Sequence, residues 1–197
     1  MSDADRKKWD AKYQAAKQPQ MTAANAWLGD QLLALKPGRA LDLACGLGAN
    51  AILLAERGWQ VDAVDVSPVG LGQAAQRAKS IGVTVNWIPA DLDDYAPVFG
   101  AYDLVIVFRF LERTLLPKII EAALRPGGVL LYETFREDQA GRAGGHCRNP
   151  RFLLKNGELP ELFPHFSVLE YAEIEAPDGS YARLAAQKDL SVPESLQ

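Results

Sequence analysis

The feature that most constrains the fold of this chain is an alternation of short apolar runs with helical patterns. The strand patterns are Arg39–Cys45, Trp59–Val66, Val83–Pro89, Tyr102–Phe108 and Val129–Thr134. The helical patterns among them are Ala49–Arg57, Pro68 to about Ser80, and Thr114–Leu124. Such alternation predicts an α/β fold, with a doubly wound, mostly parallel sheet and helices on both faces.

The two ends of the chain show different patterns. Helical patterns over Asp5–Ala16 and Met21–Leu35 come first, and Lys36-Pro37-Gly38 closes them. After the alternating region come a polar loop over Phe135–Pro150, a short helix near Glu158–Phe163, and strands over Phe166–Ala176 and Ser180–Lys188. The residues Pro177-Asp178-Gly179 between those strands suit a hairpin turn. We therefore predict an N-terminal helical segment, residues 1–37, and an α/β domain, residues 38–190.

Composition and charge narrow the functional classes. A formal net charge of −4 gives no general attraction for nucleic acid or an anionic membrane, so we expect neither as a partner. No apolar run approaches the roughly 18 residues that cross a bilayer, and the N-terminus lacks the apolar region of a signal peptide. Cys45 and Cys147 form neither a disulfide framework nor a four-ligand zinc site. We expect a cytoplasmic protein without a metal site.

A glycine turn joins the first strand to the first helix of the alternating region. Glycines Gly46 and Gly48 let a ligand approach the backbone closely, and the helix after them offers free N–H groups. In an open α/β sheet, ligands bind at the carboxyl ends of the strands. Asp65 ends the second strand, 19 residues after Gly46, where its carboxylate can accept hydrogen bonds from ribose hydroxyls. Turn and acid together predict a cofactor that carries a nucleoside.

Three features favour S-adenosylmethionine (SAM) over NAD. Asp42 lies inside the first strand, where dinucleotide-binding proteins have an apolar residue. Asp91 follows the third strand and can accept a hydrogen bond from an adenine amino group. SAM carries no phosphate, so the helix N-terminus can bind its methionine carboxylate without added basic residues.

These motifs resemble the class I SAM-dependent methyltransferases over residues 38 to 188. The resemblance implies a Rossmann-like sheet of seven strands with an antiparallel last strand. It implies that SAM is bound and released as S-adenosylhomocysteine (SAH), that Asp65 holds the ribose, and that Asp91 and Leu92 hold the adenine. The cofactor-binding residues expected in full are Trp9, Tyr13, Asp42, Ala44, Gly46, Gly48, Asn50, Asp65, Val66, Ser67, Asp91, Leu92, Phe108 and Arg109.

Smaller motifs resemble a narrower group, the small bacterial methyltransferases related to the tellurite-resistance enzyme TehB. These motifs are Trp9-Asp10-Ala11-Lys12-Tyr13, Phe108-Arg109-Phe110-Leu111, Tyr132-Glu133-Thr134-Phe135, and Asn149-Pro150-Arg151-Phe152-Leu153-Leu154 with Glu158-Leu159. The likeness implies that residues 1–37 fold over the cofactor as a lid, with Trp9 and Tyr13 near the methyl group. The alternative is an amphipathic helix that packs two aromatic side chains on the domain.

The acceptor leaves a weaker pattern. Methyl transfer from a sulfonium needs positioning and exclusion of water more than a general base. Basic residues cluster in and beside the polar loop, where arginine suits oxyanions, although a solvated loop is the plain alternative. The basic residues within the loop and just after it are Arg136, Arg142, Arg148, Arg151 and Lys155. Candidate acceptor-side residues are Tyr13, Arg109, Arg113, Arg142, His146 and Arg148.

We therefore expect a methyltransferase for a small anionic or soft nucleophile, such as tellurite, selenite or a thiol-like species bound under this loop. One alternative is an organic acceptor carrying a carboxylate, thiol or amine. A non-catalytic SAM-binding module is another, and an NAD-dependent oxidoreductase a third. The last would need a catalytic Tyr-Lys pair, His or Cys near the fourth or fifth strand, and none is well placed.

Overall fold

The computed structural model describes residues 3–15, 23–138, 147 and 149–190, and the chain divides into two compact units, Met1–Ala96 and Pro97–Gln197. The first unit contains α1 (Asp3–Ala15), α2 (Ala26–Gln31), β1 (Arg39–Leu43), α3 (Ala49–Glu56), β2 (Gln60–Asp65), α4 (Pro68–Ile81) and β3 (Asn86–Pro89). The second contains β4 (Tyr102–Phe108), α5 (Leu116–Ala123), β5 (Leu124–Phe135), α6 (Glu158–Glu161), β6 (Phe166–Ala176) and β7 (Gly179–Lys188). No described helix is long and apolar enough to cross a membrane.

In the first unit, β2 pairs in parallel with both β1 and β3. Residues 61–65 of β2 are all buried, which fits a strand covered on both faces. Helix α4 begins where Ser67, in an extended conformation, accepts a hydrogen bond from the N–H of Gly70 at 3.0 Å. Pro68 occupies the first turn and Gly82 ends the helix at φ +86°. The predicted N-cap and first residue of this helix are confirmed.

In the second unit, β4 and β5 are parallel, and β7 pairs antiparallel with both β5 and β6. The seven strands form one sheet in the order β3-β2-β1-β4-β5-β7-β6. A mostly parallel seven-stranded α/β sheet with an antiparallel last strand is thus confirmed. The hairpin is confirmed as well, since Ala176 pairs with Gly179 across Pro177 and Asp178.

Side chains close both ends of α5. The carboxylate of Glu112 accepts hydrogen bonds from the N–H groups of Thr114 at 2.9 Å and Leu116 at 2.7 Å. The buried ammonium of Lys188 donates to the carbonyls of Glu121 and Leu124 at 2.6 and 2.9 Å. Acid at the N-terminus and base at the C-terminus complement the helix dipole.

Several element boundaries differ from the prediction. The helix expected over Met21–Leu35 spans only Ala26–Gln31. Asn25, in an extended conformation, caps its start by accepting a hydrogen bond from the N–H of Leu28. Met21 lies outside the described residues. Strand β5 begins at Leu124 rather than Val129, because Leu124 already pairs with Tyr102 before the ladder shifts register. In the predicted polar loop, Phe135 belongs to β5 and Pro150–Phe152 form a 3₁₀ turn.

Candidate functional site

The glycine turn of the first unit is held by the acid at the end of β2. One carboxylate oxygen of Asp65 accepts from the N–H of Gly46 at 2.8 Å, and the other accepts from the N–H of Ser67 at 2.9 Å. Ala44, at the carboxyl end of β1, has φ +57°, a conformation that a non-glycine residue adopts at a cost and that is concentrated at functional sites. The predicted turn and acid are therefore together.

Gly48 has a role that the sequence does not reveal. A Cβ at Gly48 would lie 2.4 Å from Cη2 of Trp87 in β3 and 3.0 Å from Cβ of Ala74 in α4. The residue also has φ +69°. Glycine is required here because the start of α3 packs directly on the Trp87 indole, whatever binds at the turn.

Two buried carboxyl groups lie beside the turn. Asp42 is 2% exposed, and its Oδ2 has no hydrogen-bond partner among the described residues. Burial, and after it the charge of Asp65, raises the pKa of Asp42 well above its usual value. Burial also raises the pKa of Asp65, although hydrogen bonds from the backbone of Ser67 and Gly46 oppose that shift. The acids form a buried pair that a cationic or hydroxyl-bearing ligand can satisfy.

A cavity of about 440 Å³ opens at the carboxyl ends of β2 and β3. Its lining includes Val66, Pro68, Pro89, Ala90, Asp91 and Asp94. The volume lies within the range of small-molecule sites. One oxygen of Asp91 accepts from the N–H of Asp93 at 3.0 Å, and Leu92 is buried. Val66 and Asp91, two predicted cofactor residues, thus line this cavity.

Helix α1 covers the glycine turn. A Cβ at Gly70 would lie 2.9 Å from Cδ2 and Cε2 of Tyr13, and one at Gly46 would lie 3.0 Å from the Tyr13 hydroxyl. Asp10 and the Ser67 hydroxyl are hydrogen-bonded at 2.5 Å. No residue of α1 is fully buried, although the carbonyl of Tyr13 accepts from the side chain of Gln73 at 3.1 Å. Both glycines therefore make room for the Tyr13 ring.

Two other predicted cofactor residues of this unit have protein partners. Trp9 stacks on Tyr13 with 5.7 Å between ring centroids, and the ammonium of Lys12 lies 4.2 Å from the Trp9 ring. The side-chain oxygen of Asn50 accepts from the N–H of Asn25 at 2.9 Å, which ties α3 to the start of α2. A cofactor contact of Trp9 or Asn50 stays a prediction.

In the second unit, Arg109 stands at the carboxyl end of β4 with φ +59°. Its N–H donates to the carbonyl of Glu133 at 2.8 Å, which fixes this strained backbone. Its guanidinium lies 5.8 Å from the ring centre of Tyr181 and 3.4 Å from the carboxylate of Asp178. Both charged side chains are about half exposed, so the ion pair is weak and open to competition.

An apolar cluster adjoins Arg109 through Tyr181. Phe135, Leu153 and Tyr181 are buried together, and Cys147 packs against them. The rings of Phe135 and Tyr181 are 5.3 Å apart. Burial, above the other influences, raises the pKa of Tyr181 to about 12, so its hydroxyl stays protonated at neutral pH. The half-exposed guanidinium of Arg109 thus borders the buried rings of Tyr181 and Phe135, which together form an aromatic wall.

The predicted basic patch is corrected in part. Arg136 is buried, and its guanidinium lies within 2.8 Å of Asp138, 2.9 Å of Glu173 and 3.4 Å of Glu175. Arg113 is paired with Glu158 and donates to the carbonyls of Arg151 and Leu153 at 2.7 and 2.8 Å. Both arginines hold chain segments together instead of presenting charge to a ligand. Arg151 and Lys155 are exposed; Arg142, His146 and Arg148 lie outside the described residues.

The sequence did not single out several of these residues. In the first unit Trp87 contacts Gly48, and in the second unit Tyr181 and Asp178 contact Arg109 from a distant part of the chain; no local pattern marks these three as site residues. Gly70 and Gly72 are visible signals in the sequence, since glycine inside a helix costs stability unless close packing requires it; of the two, Gly70 is closely packed. His165 lies 2.9 Å from Glu121.

Comparison with known proteins agrees with this geometry. Residues 40–128 match the family model described as a methyltransferase domain. Hemagglutinin 1 of Eikenella corrodens is 30% identical over 164 residues, which cover 78% of this chain and 52% of that protein. The ribosomal RNA small subunit methyltransferase C of Alcanivorax borkumensis is 32% identical over 111 residues, which cover 52% of this chain and 34% of that enzyme. The chain thus spans about half or less of these relatives.

A solved structure of TehB from Haemophilus influenzae has the same fold, with a TM-score of 0.68 and 21% identity over 92% of this chain and 67% of that one. A parallel sheet with a glycine turn, an acid at the end of β2 and a cavity beside it defines a nucleoside-cofactor domain. The family match over residues 40–128 agrees with this geometry, and both make the chain similar to the SAM-dependent methyltransferases. Among the described residues, no group of three or more His, Cys, Asp or Glu side chains could hold a metal.

Proposed function

We propose that this protein methylates a small organic acceptor that carries an anionic group on an apolar body, such as a carboxylate or thiolate. The observation that supports it is the placement of Arg109, half exposed and paired only weakly with Asp178, beside the aromatic wall of Tyr181 and Phe135. The cation would bind the anionic group, and the wall would bind the apolar body.

The residues of the first unit fit SAM. The cavity at the ends of β2 and β3 has room for the nucleoside. Asp91, which lines it, would accept from the adenine amino group, and Asp65, at the end of β2 beside the glycine turn, would accept from the ribose hydroxyls. The buried Asp42, with one oxygen unpaired, suits the methionine ammonium, because a positive charge would let both acids ionise. When bound, SAM supplies an activated methyl group that a lone pair of the acceptor can displace from sulfur, leaving SAH.

Few protein groups need to take part in that displacement. The thiol of Cys45 has its pKa raised by burial, so it stays protonated and unreactive. The raised pKa of Tyr181 likewise keeps its hydroxyl a hydrogen-bond donor rather than a base. An acceptor that arrives already ionised requires no general base. The chain's contribution is to bind, orient and exclude water.

Two experiments test the proposal in sequence. Calorimetric titration with SAH should show saturable binding that Asp65→Asn weakens at least tenfold. The control, Asp62→Asn, changes an acid of the same strand that pairs with Arg39 away from the turn and should bind like the unaltered protein. No binding to the unaltered protein would end the proposal at this step.

Transfer of labelled methyl from SAM would then be measured against small carboxylates, thiols, tellurite, selenite and ribosomal RNA. Arg109→Ala should raise KM for an organic anion about tenfold, the value of a lost charge-assisted hydrogen bond, and leave SAH affinity unchanged. Arg125→Ala is the control, because Arg125 also pairs with an aspartate, Asp103, and is similarly exposed. Turnover of RNA alone would contradict the proposal.

Tellurite and selenite are the second candidate acceptors, expected from the likeness to the TehB group. Arg151 and Lys155 are exposed and support an oxyanion site. Their neighbours Arg113 and Arg136 do not, because carboxylates already neutralise them. Turnover of tellurite that is insensitive to Arg109→Ala would favour this second candidate over the organic anion.

A further inference from the structure

The cavity of the first unit has a wall that the predicted cofactor residues do not provide. Besides strand-end residues, its lining includes Asp3 and Arg6 of α1. Helix α1 was expected to contribute only Trp9 and Tyr13, which lie one and two turns further along the helix. The N-terminal turns of α1 therefore face the nucleoside end of the site, whereas Tyr13 faces the glycine turn.

Arg6 is held in place by its neighbour. Its Nε and Nη2 donate to one oxygen of Asp3 at 3.2 and 2.5 Å. Lys7 lies 3.2 Å from the other oxygen of Asp3, yet Lys7 does not line the cavity. The two adjacent cations thus share a carboxylate partner and differ in whether they reach the cavity.

The charges around the cavity select the kind of ligand. Among the residues that line it, Asp3, Asp91 and Asp94 carry negative charge and Arg6 carries the positive charge. Three carboxylates repel a phosphate, so the cavity disfavours nucleotides. An uncharged purine with an amino donor suits it, because carboxylates accept from the amino group and a planar guanidinium stacks on an aromatic ring.

We propose that Arg6 is a cofactor-specificity residue that covers the adenine ring of SAM with its guanidinium, so that α1 forms one wall of the adenine subsite. The proposal rests on the cofactor assignment above and adds a contact from outside the α/β core. Arg6→Ala should weaken SAH binding about tenfold, within the range for a cation on an aromatic face. The same fold loss is expected for adenosine, because the contact is to the base.

The test is calorimetric titration of the full chain with SAH and with adenosine. Lys7→Ala is the matched control, since it removes the same charge and the same Asp3 partner from the adjacent position. Arg6→Lys keeps the positive charge but loses the planar guanidinium, so its affinity should lie between those of Arg6→Ala and the unaltered protein. Circular dichroism of each variant shows whether α1 stays helical.

Four outcomes are distinguishable. A tenfold loss in Arg6→Ala for both ligands, with Lys7→Ala unchanged, supports the proposal. Equal losses in Arg6→Ala and Lys7→Ala would mean that bulk charge alone is responsible, and equal affinity in Arg6→Ala and the unaltered protein would mean that Arg6 makes no contact; either overturns it. If the unaltered protein binds neither ligand, the cofactor assignment fails instead.

Discussion

The two units place their charged side chains in different ways. Around the cofactor turn of the first unit, Asp42 and Asp65 are buried side by side, and the contacts of Asp65 are backbone N–H groups. In the second unit, two buried charges have ionic partners: Arg136 lies among three carboxylates, and Glu133 pairs with Arg183 at 2.6 Å. A buried carboxylate without a cation has unfavourable energy until a ligand arrives, whereas a paired one is already satisfied.

The comparison teaches where a ligand gains most. In the first unit, the glycines leave space beside the turn, and the buried acids contact backbone groups rather than a cation. A bound ligand can therefore fill that space and compensate the negative charge. In the second unit, Arg113 and Arg136 stabilise the chain itself, whereas the half-exposed Arg109 is the arginine that we propose binds a ligand. Four substitutions test this contrast, taken from the largest expected effect to the smallest.

Gly48→Ala should have the largest effect. Its Cβ would meet the Trp87 ring at 2.4 Å, and the residue would keep a left-handed φ, so the free energy of unfolding should fall by about 3 kcal/mol. Gly82→Ala has a similar φ of +86° with no atom within 4 Å, so it measures the backbone cost alone, about 1 kcal/mol. Urea unfolding compares the two. Equal losses would refute the packing role of Gly48.

Arg136→Met should come next. It leaves Glu173 and Glu175 without their cation, and we expect the free energy of unfolding to fall by about 2 kcal/mol. The loss is smaller than for a fully buried pair, because these carboxylates are partly exposed. Adding Glu173→Gln should restore part of that loss. Thermal unfolding of the single and double variants measures the coupling. If Arg136→Met were as stable as the unaltered protein, the second unit would not depend on its paired charges.

Asp42→Asn should have a smaller effect of opposite sign. Burial raises the pKa of Asp42 in the folded state, so above about pH 4, the ordinary aspartate value, the folded chain holds a proton that the unfolded chain releases. Stability of the unaltered protein therefore falls as pH rises from there toward the folded pKa, and the asparagine variant avoids this fall. At pH 7 the variant should melt roughly 2–4 °C higher, about 1 kcal/mol.

The pH dependence decides the Asp42 prediction. The stability advantage of the variant should shrink toward pH 4 and disappear below it, because both proteins are then neutral at this position. SAH affinity should fall in the same variant, since the unpaired carboxylate is what the ligand satisfies. A variant that is less stable at pH 7 would show that Asp42 stabilises the empty fold.

Gly70→Ala should change global stability least. Its Cβ would press on the Tyr13 ring at 2.9 Å, and α1, which has no fully buried residue, would have to shift. Hydrogen exchange in α1 should therefore speed up, while the free energy of unfolding changes by less than about 1 kcal/mol. Gly72→Ala in the same helix meets no atom within 4 Å and should add about 0.5–1 kcal/mol. Unchanged exchange in α1 would contradict the contact.

The sequence allowed the first unit to be predicted more fully than the second. Gly46, Asp65 and Ser67 lie within 22 residues and obey local rules for turns, strand ends and helix caps, so their proximity follows from the fold class. Arg109 meets Asp178 and Tyr181 across 69 and 72 positions, and their contact depends on the register of a hairpin. Arginine in a loop gives no sign of whether a distant glutamate pairs with it.

The position of β7 between β5 and β6 has a consequence for how the chain is made. β5 is buried from Val129 to Phe135 and pairs with residues up to Gln187, more than fifty positions later. On the ribosome, therefore, this edge of β5 stays unpaired until β7 is made, and β6 is synthesised before β7, the strand with which it pairs. During that interval a long apolar strand edge is available for wrong pairing, and this is the stage at which a chaperone would protect the nascent chain.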